Sequence, residues 1–234
     1  MVTTIASTEQ PILLDKELLS SYANQYKQEL LQNILPFWLN FSKDEINGGY
    51  FTCLDRTGEV YDTDKFIWLQ GREVWCFSYM YTQVEAKAEW LEMAIHGANF
   101  LEKHGRDEQG NWYFSLTADG TPLVQPYNIF SDCFACMAFA ALDKASPNSR
   151  YKQIAVDTFN NIIARKDNSK GSYNKNFPGT RNLKNFSLPM ILCNLALELE
   201  HIIGSDRVNS FIPTVIHEVM EVFYQPSSGL ILEN

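Results

Sequence analysis

The sequence predicts an all-α protein built as an α/α toroid. Three features point there: a unit of roughly 60 residues that recurs along the chain, two alternating kinds of helix, and a hairpin ahead of each helix pair. In each unit one helix is apolar nearly all round and the next is apolar on one face. A double ring requires these two types, because an inner helix touches neighbours on every side while an outer one shows half its surface to water. An irregular helical bundle, the plainer alternative, predicts neither the recurring hairpin nor the strict alternation.

The elements follow in order. Residues 1–13 are expected to form a disordered leader. Helical periodicity starts near Leu14 and runs to about Phe41, with Leu18, Leu19, Tyr22, Tyr26, Leu30 and Leu31 three and four apart. Asn47-Gly48-Gly49 breaks the pattern, and the stretch from Tyr50 to Val60 reads as a hairpin turning at Arg56-Thr57-Gly58. A nearly all-apolar helix from about Lys65 to Thr82 precedes an amphipathic one from about Glu85 to His104. The order then recurs: a hairpin over 110–120, an apolar helix from Phe130 to Leu142, and an amphipathic helix carrying Tyr151, Ile154, Ala155, Thr158 and Ile162. A third copy has Gly171-Ser172-Tyr173, then Leu188 to Leu199, then Val208 to Phe223. A fourth begins at Ser228-Gly229-Leu230.

The expectation is therefore a single domain over 1–234 with one leading helix and three pairs, about seven helices in all. A closed ring of six pairs needs roughly 360 residues at this period, so the chain represents the N-terminal part, about three and a half of six repeats.

Composition narrows the function. The chain is 45% hydrophobic and 13% aromatic, which excludes a disordered or low-complexity protein. A net charge of −9, with 19 basic against 28 acidic residues and no basic block, argues against nucleic-acid or polybasic membrane partners. No apolar run reaches the ~18–20 residues of a membrane span. The first fifteen residues carry no Lys or Arg and are not expected to act as a secretory signal. Five cysteines, an odd number scattered through apolar stretches, suit free thiols in the cytoplasm.

Gly48-Gly49-Tyr50-Phe51, Leu54-Asp55-Arg56-Thr57-Gly58, Lys65 and Trp68-Leu69-Gln70-Gly71-Arg72, followed by Tyr127-Asn128-Ile129-Phe130-Ser131-Asp132-Cys133-Phe134-Ala135 and Leu188-Pro189-Met190-Ile191-Leu192, resemble the N-acylglucosamine 2-epimerase family. The resemblance implies an (α/α)6 toroid that interconverts N-acetyl-D-glucosamine and N-acetyl-D-mannosamine. The reaction would run by deprotonation and reprotonation at C2, with no metal and no cofactor for the chemistry. By the same resemblance ATP would enter as an activator rather than a reactant. The expected partners are the amino sugar, ATP and a second copy of the chain.

Trp68 and Arg72 lie one helical turn apart and project from one face. An arginine on an otherwise apolar helix needs a partner or a polar cavity; a guanidinium suits sugar hydroxyls or a developing enolate, and an indole suits the apolar face of a pyranose. The alternative is a structural ion pair of Arg72 with Asp132 or Glu73. Asp132 falls at what reads as the equivalent place in the second repeat, although Ser-Asp is also an ordinary helix start. Tyr127, Asp132, Asn185 and Met190 are further substrate-binding candidates by the resemblance.

Arg165, Lys166, Asn168, Lys170 and Gly171 form a short basic loop suited to phosphate. It is similar to the loop with which the family binds ATP, and reads equally as a solvated turn. Cys133 and Cys136 have CxxC spacing but no second ligand pair, and read as core residues.

Epimerisation at C2 requires an acid/base group on each side of the carbon, for which histidine is suited. His96, His104, His201 and His217 all read as surface residues away from the hairpins. The resemblance puts the catalytic histidines beyond Asn234, so residues 1–234 alone are expected to be inactive. Three rivals are kept: a mannose-type aldose–ketose isomerase, a glycoside hydrolase pairing Asp132 with Asp55 or Asp64, and a non-catalytic sugar- or nucleotide-binding module.

Overall fold

The computed structural model describes residues 15–168, 170 and 184–233. The expected leader over 1–13, the third hairpin at Gly171-Ser172-Tyr173 and the loop residue Gly171 lie outside the described residues. The chain divides into two compact units, residues 1–40 and 41–234.

In the first unit, α1 (Lys16–Glu29) is capped by Asp15, whose side chain accepts from the Glu17 N–H at 2.9 Å. A π turn at Leu30–Ile34 joins it to α2 (Leu35–Phe41). Pro36, just beyond that turn, has no N–H to return to Gln32, and the widened turn accommodates the loss.

The second unit opens with a hairpin, β1 (Cys53–Leu54) and β2 (Val60–Asp62). A three-stranded antiparallel sheet follows, in the order β3 (Lys65–Phe66), β4 (Ser115–Leu116) and β5 (Pro122–Val124). It stitches the entry of the first helix pair to the second hairpin. The pairs are α3 (Ile67–Gln83) with α4 (Ala88–His104) and α5 (Ile129–Ala145) with α6 (Ser149–Arg165); the third is α7 (Ser187–Glu198) with α9 (Ser205–Val222), bridged by the single turn α8 (Glu200–Ile203). A last hairpin, β6 (Tyr224–Gln225) and β7 (Leu230–Ile231), ends the described chain.

The packing follows the predicted double layer. Helix α3 packs on α5, and α5 on α7, as an inner layer; α4, α6 and α9 lie outside their partners α3, α5 and α7. Helix α5 buries eleven of its 17 residues, whereas α6 buries six of 17 on one face. The inner crossing is close because small residues line it. A Cβ on Gly71 would lie 2.8 Å from the backbone of Phe134. Cys133 and Cys136 are fully buried in α5, as the core reading required, with the Cys136 thiol donating to the Ala155 carbonyl at 3.2 Å. All five cysteines are free thiols.

The first two repeats agree in detail. Asp44 receives backbone N–H groups of Ile46 and Asn47, and Asp107 receives those of Gln109 and Asn111. Each turn needs a glycine with φ of +83°, Gly48 and Gly110. Each delivers a fully buried aromatic, Tyr50 or Trp112, to the space between its inner and outer helices. The Tyr50 hydroxyl donates to the Met93 carbonyl of α4 at 2.6 Å, and the Trp112 indole donates to Thr158 of α6 at 3.1 Å.

Candidate functional site

Three inner helices line a half-open cavity of about 530 Å³. Helix α3 contributes Arg72, Trp75 and Tyr79; α5 contributes Phe130, Phe134 and Met137; α7 contributes Ser187, Met190, Ile191, Asn194 and Glu198. On α3 and α5 these positions are three or four apart, and on α7 each lies three or four from another, so each helix presents one face to the same space. The walls are chiefly aromatic and thioether, with a few converging polar groups, the usual make-up of a small-molecule pocket. The Trp75 and Tyr79 rings stack at 5.1 Å.

Arg72 is the cavity's cation. Its guanidinium lies 4.9 Å from the centre of the Phe134 ring, a cation–π contact that leaves the edge donors available. The carboxylates named as its structural partners are engaged elsewhere: Asp132 with Arg165, and Glu73 with the Ser42 hydroxyl. Trp68 is half-buried beside the same ring, 6.1 Å from Phe134, and packs against the wall rather than lining the cavity.

Of the other sequence candidates, only Met190 lines this cavity. Tyr127 is half-buried with its ring 5.1 Å from that of Phe114, at the approach to α5. Asn185 is exposed, and its side chain accepts the Ser187 N–H at 2.8 Å in the turn that leads into α7.

Asp132 requires a correction of register. The structure pairs it with Gln70, not with Arg72: the Tyr50 N–H donates to Gln70 Oε1 at 2.8 Å, the Trp112 N–H donates to Asp132 Oδ1 at 3.4 Å, and both pairs span 20 residues. Arg72 therefore corresponds to Phe134. Residues two apart on a helix point about 200° apart, so Asp132 faces α6 while Phe130 and Phe134 face the cavity. Burial pushes its carboxyl up to about 7, against the pull of Arg165. This also removes the hydrolase pair, since Asp132 is enclosed whereas Asp55 closes the exposed β1–β2 turn by accepting from Thr57 and Glu59.

The residues missed from sequence are Trp75, Tyr79, Phe130, Phe134, Met137, Ser187, Ile191, Asn194 and Glu198; only spacing from Arg72 could have pointed to any of them. On α3 the missed positions continue the face of Arg72 at three- and four-residue steps.

The family model described as N-acylglucosamine 2-epimerase (GlcNAc 2-epimerase) matches residues 49–234. The chain belongs to this family. It is 35% identical over 191 residues to the N-acylglucosamine 2-epimerase of Bos taurus, covering 79% of this chain and 45% of that one. It is 29% identical over 152 residues to the cellobiose 2-epimerase of Bacteroides fragilis, covering 64% and 38%. The chain thus spans about half the length of the curated relatives it matches, or less. Among solved structures, cellobiose 2-epimerase from Bacillus thermoamylovorans B4167 superposes with a TM-score of 0.78 at 21% identity, covering 91% of this chain and 58% of that one. The α/α toroid fold of the family is the fold of this chain.

In this N-acylglucosamine 2-epimerase family member, none of the four histidines lines the cavity. His217 is exposed, as the sequence suggests, and His201 lies 3.6 Å from Asp143. His96 and His104 depart from the surface reading. His96 is half-buried with Nε2 3.0 Å from the Gly49 carbonyl, and His104 is half-buried against Phe100, ring to ring at 5.1 Å. Burial, and then Lys103, lowers the pKa of His104.

The described part of the basic loop turns its cations toward carboxylates. Arg165 reaches inward to Asp132 and donates to Asn111 at 3.1 Å. Lys166 lies 3.5 Å from Asp167 and 3.9 Å from Glu218, which also holds Lys184 at 3.0 Å. Asn168 and Lys170 are exposed. Among the described residues no group of three or more His, Cys, Asp or Glu side chains is arranged to hold a metal, and no helix is long and apolar enough to cross a membrane.

Proposed function

We propose that the whole protein interconverts N-acetyl-D-glucosamine and N-acetyl-D-mannosamine at C2, with residues 1–234 supplying one wall of the sugar cavity. The observation that carries this is Arg72, its guanidinium 4.9 Å from the centre of the Phe134 ring in an aromatic-walled space between inner helices. Its donors suit the oxygens of an open-chain sugar, and they strengthen as enolate charge develops on deprotonation. Indole and phenyl faces suit the apolar face of the sugar. The acid/base pair that moves the C2 proton lies outside this wall of the cavity, which carries no histidine among the described residues.

The name of the Bos taurus relative supports the acetylated amino sugar over other sugars. The free thiols of all five cysteines support a reducing, cytoplasmic setting. Exposed Ile216 and Met220 on α9 and Leu230 and Ile231 on β7 suit a covering surface, supplied by further repeats of the whole protein or by a second copy in a homodimer. For ATP as an effector the support is the likeness of the loop over 165–171 to the family's nucleotide loop; Arg165 and Lys166 face carboxylates, which leaves Lys170 as its exposed cation.

The test is calorimetric titration of residues 1–234 with N-acetylmannosamine, alongside an epimerisation assay. Saturable binding without turnover is expected. Absence of binding, or turnover by this stretch alone, contradicts the proposal.

A further inference from the structure

The first two repeats fasten their hairpins to their inner helices with different chemistry. In the first, Gln70 closes on the backbone of Tyr50 from both sides, accepting the N–H at 2.8 Å and donating to the carbonyl at 2.7 Å. That tie is neutral and complete. In the second, Asp132 accepts the Trp112 N–H but is fully buried and carries a charge that the hairpin does not balance. Arg165, at the far end of α6, balances it. Arg165 also donates to Asn111 Oδ1 at 3.1 Å, an atom that receives Asn161 of α6 at 3.2 Å. Turn, inner helix and outer helix therefore meet at one ion pair.

Behind that junction stands the cavity wall. Phe130 and Phe134, two residues either side of Asp132, face the opposite way and line the cavity. Phe134 in turn carries the Arg72 guanidinium and touches the Trp68 ring. We propose that Asp132 and Arg165 are a positioning pair, setting the α5 wall of the cavity from behind and, through Phe134, the placement of Arg72. Neither touches the ligand. The inference rests on the sugar-cavity reading for its second readout but not for its first.

The experiment compares Arg165→Gln, Asp132→Asn and the charge-retaining Arg165→Lys. The first readout needs no sugar: the indole 1H–15N resonances of Trp68 and Trp75, both on α3, the helix that packs on α5. They are expected to shift in Arg165→Gln and Asp132→Asn and to return toward wild type in Arg165→Lys. Movement of the Trp112 resonance alone would mean a local structural role and would overturn the proposal. The second readout is affinity for N-acetylmannosamine, measured well below the melting temperature. A weakening of about tenfold in Arg165→Gln, recovered to within about threefold in Arg165→Lys, is expected. A lowered melting temperature with unchanged affinity would overturn it. If wild type binds no sugar while Trp68 and Trp75 still shift, the pair stands and the sugar-cavity reading falls. Should Arg165→Gln fail to fold, Asp132→Asn, which keeps the shape and removes the charge, carries both readouts.

Discussion

Tyr50 and Trp112 occupy the same place in successive repeats, each fully buried after an Asp-anchored turn and each 20 residues before the inner-helix side chain that holds its backbone. The first repeat uses a neutral amide for that tie and keeps its buried charge pair elsewhere, between Lys65 of β3 and Asp44 of the turn at 2.7 Å. The second puts the charge into the tie itself. One fold position thus tolerates either chemistry, provided a carboxylate brings its own cation. The difference also explains what each repeat offers the cavity: Arg72 in the first, and its aromatic seat Phe134 in the second.

The comparison can be broken at several points. The largest effect is expected at Lys65, whose side chain is 0% exposed and lies over the rings of Phe51 and Phe100. Lys65→Met leaves Asp44 buried and unbalanced, and should cost about 3–5 kcal/mol in urea denaturation. Gln70→Ala leaves the Tyr50 N–H and carbonyl without their partners, and should cost about 1–3 kcal/mol by the same measurement. Gly71→Ala forces α3 away from the Phe134 backbone, at about 1–3 kcal/mol, and should disturb the cavity as well as stability.

The pH dependence separates the two ties. Burial raises Asp132 from 3.8 to about 7 and Glu73 from 4.5 to about 8. In those windows the folded protein binds more protons than the unfolded chain, so stability falls as pH rises. Thermal melts from pH 4 to 9 should show this decline. Asp132→Asn should remove its part below about pH 7, and Glu73→Gln its part up to about pH 8. Gln70→Ala should shift the whole curve without changing its slope.

Much of the fold was legible in the sequence. The alternation of all-apolar and one-faced helices anticipated the inner and outer layers, and the turn glycines Gly58, Gly120 and Gly229 marked hairpins that form. The site was less legible, for definite reasons. Asp132 beside Ser131 looks like a helix start, and its true partner Arg165 comes from another helix. The equivalence of Gln70 and Asp132 becomes visible only once each is seen bonded to its own hairpin. Arg72 stood out because a cation on an apolar helix needs a reason. Trp75, Tyr79 and Phe134 did not, because an all-round apolar helix conceals which face lines a cavity. The basic loop lost two of its cations to Asp132 and Glu218, acids on elements that sequence spacing does not connect to it.

The central claim is that Arg72 anchors a sugar in the cavity between α3, α5 and α7. Calorimetric titration of N-acetylmannosamine into wild type and Arg72→Ala tests it most directly. Losing a charge-assisted hydrogen bond of about 1.5–3 kcal/mol should weaken binding roughly tenfold to a hundredfold, with the melting temperature little changed because Arg72 is exposed. Equal affinity in the two proteins would contradict the account.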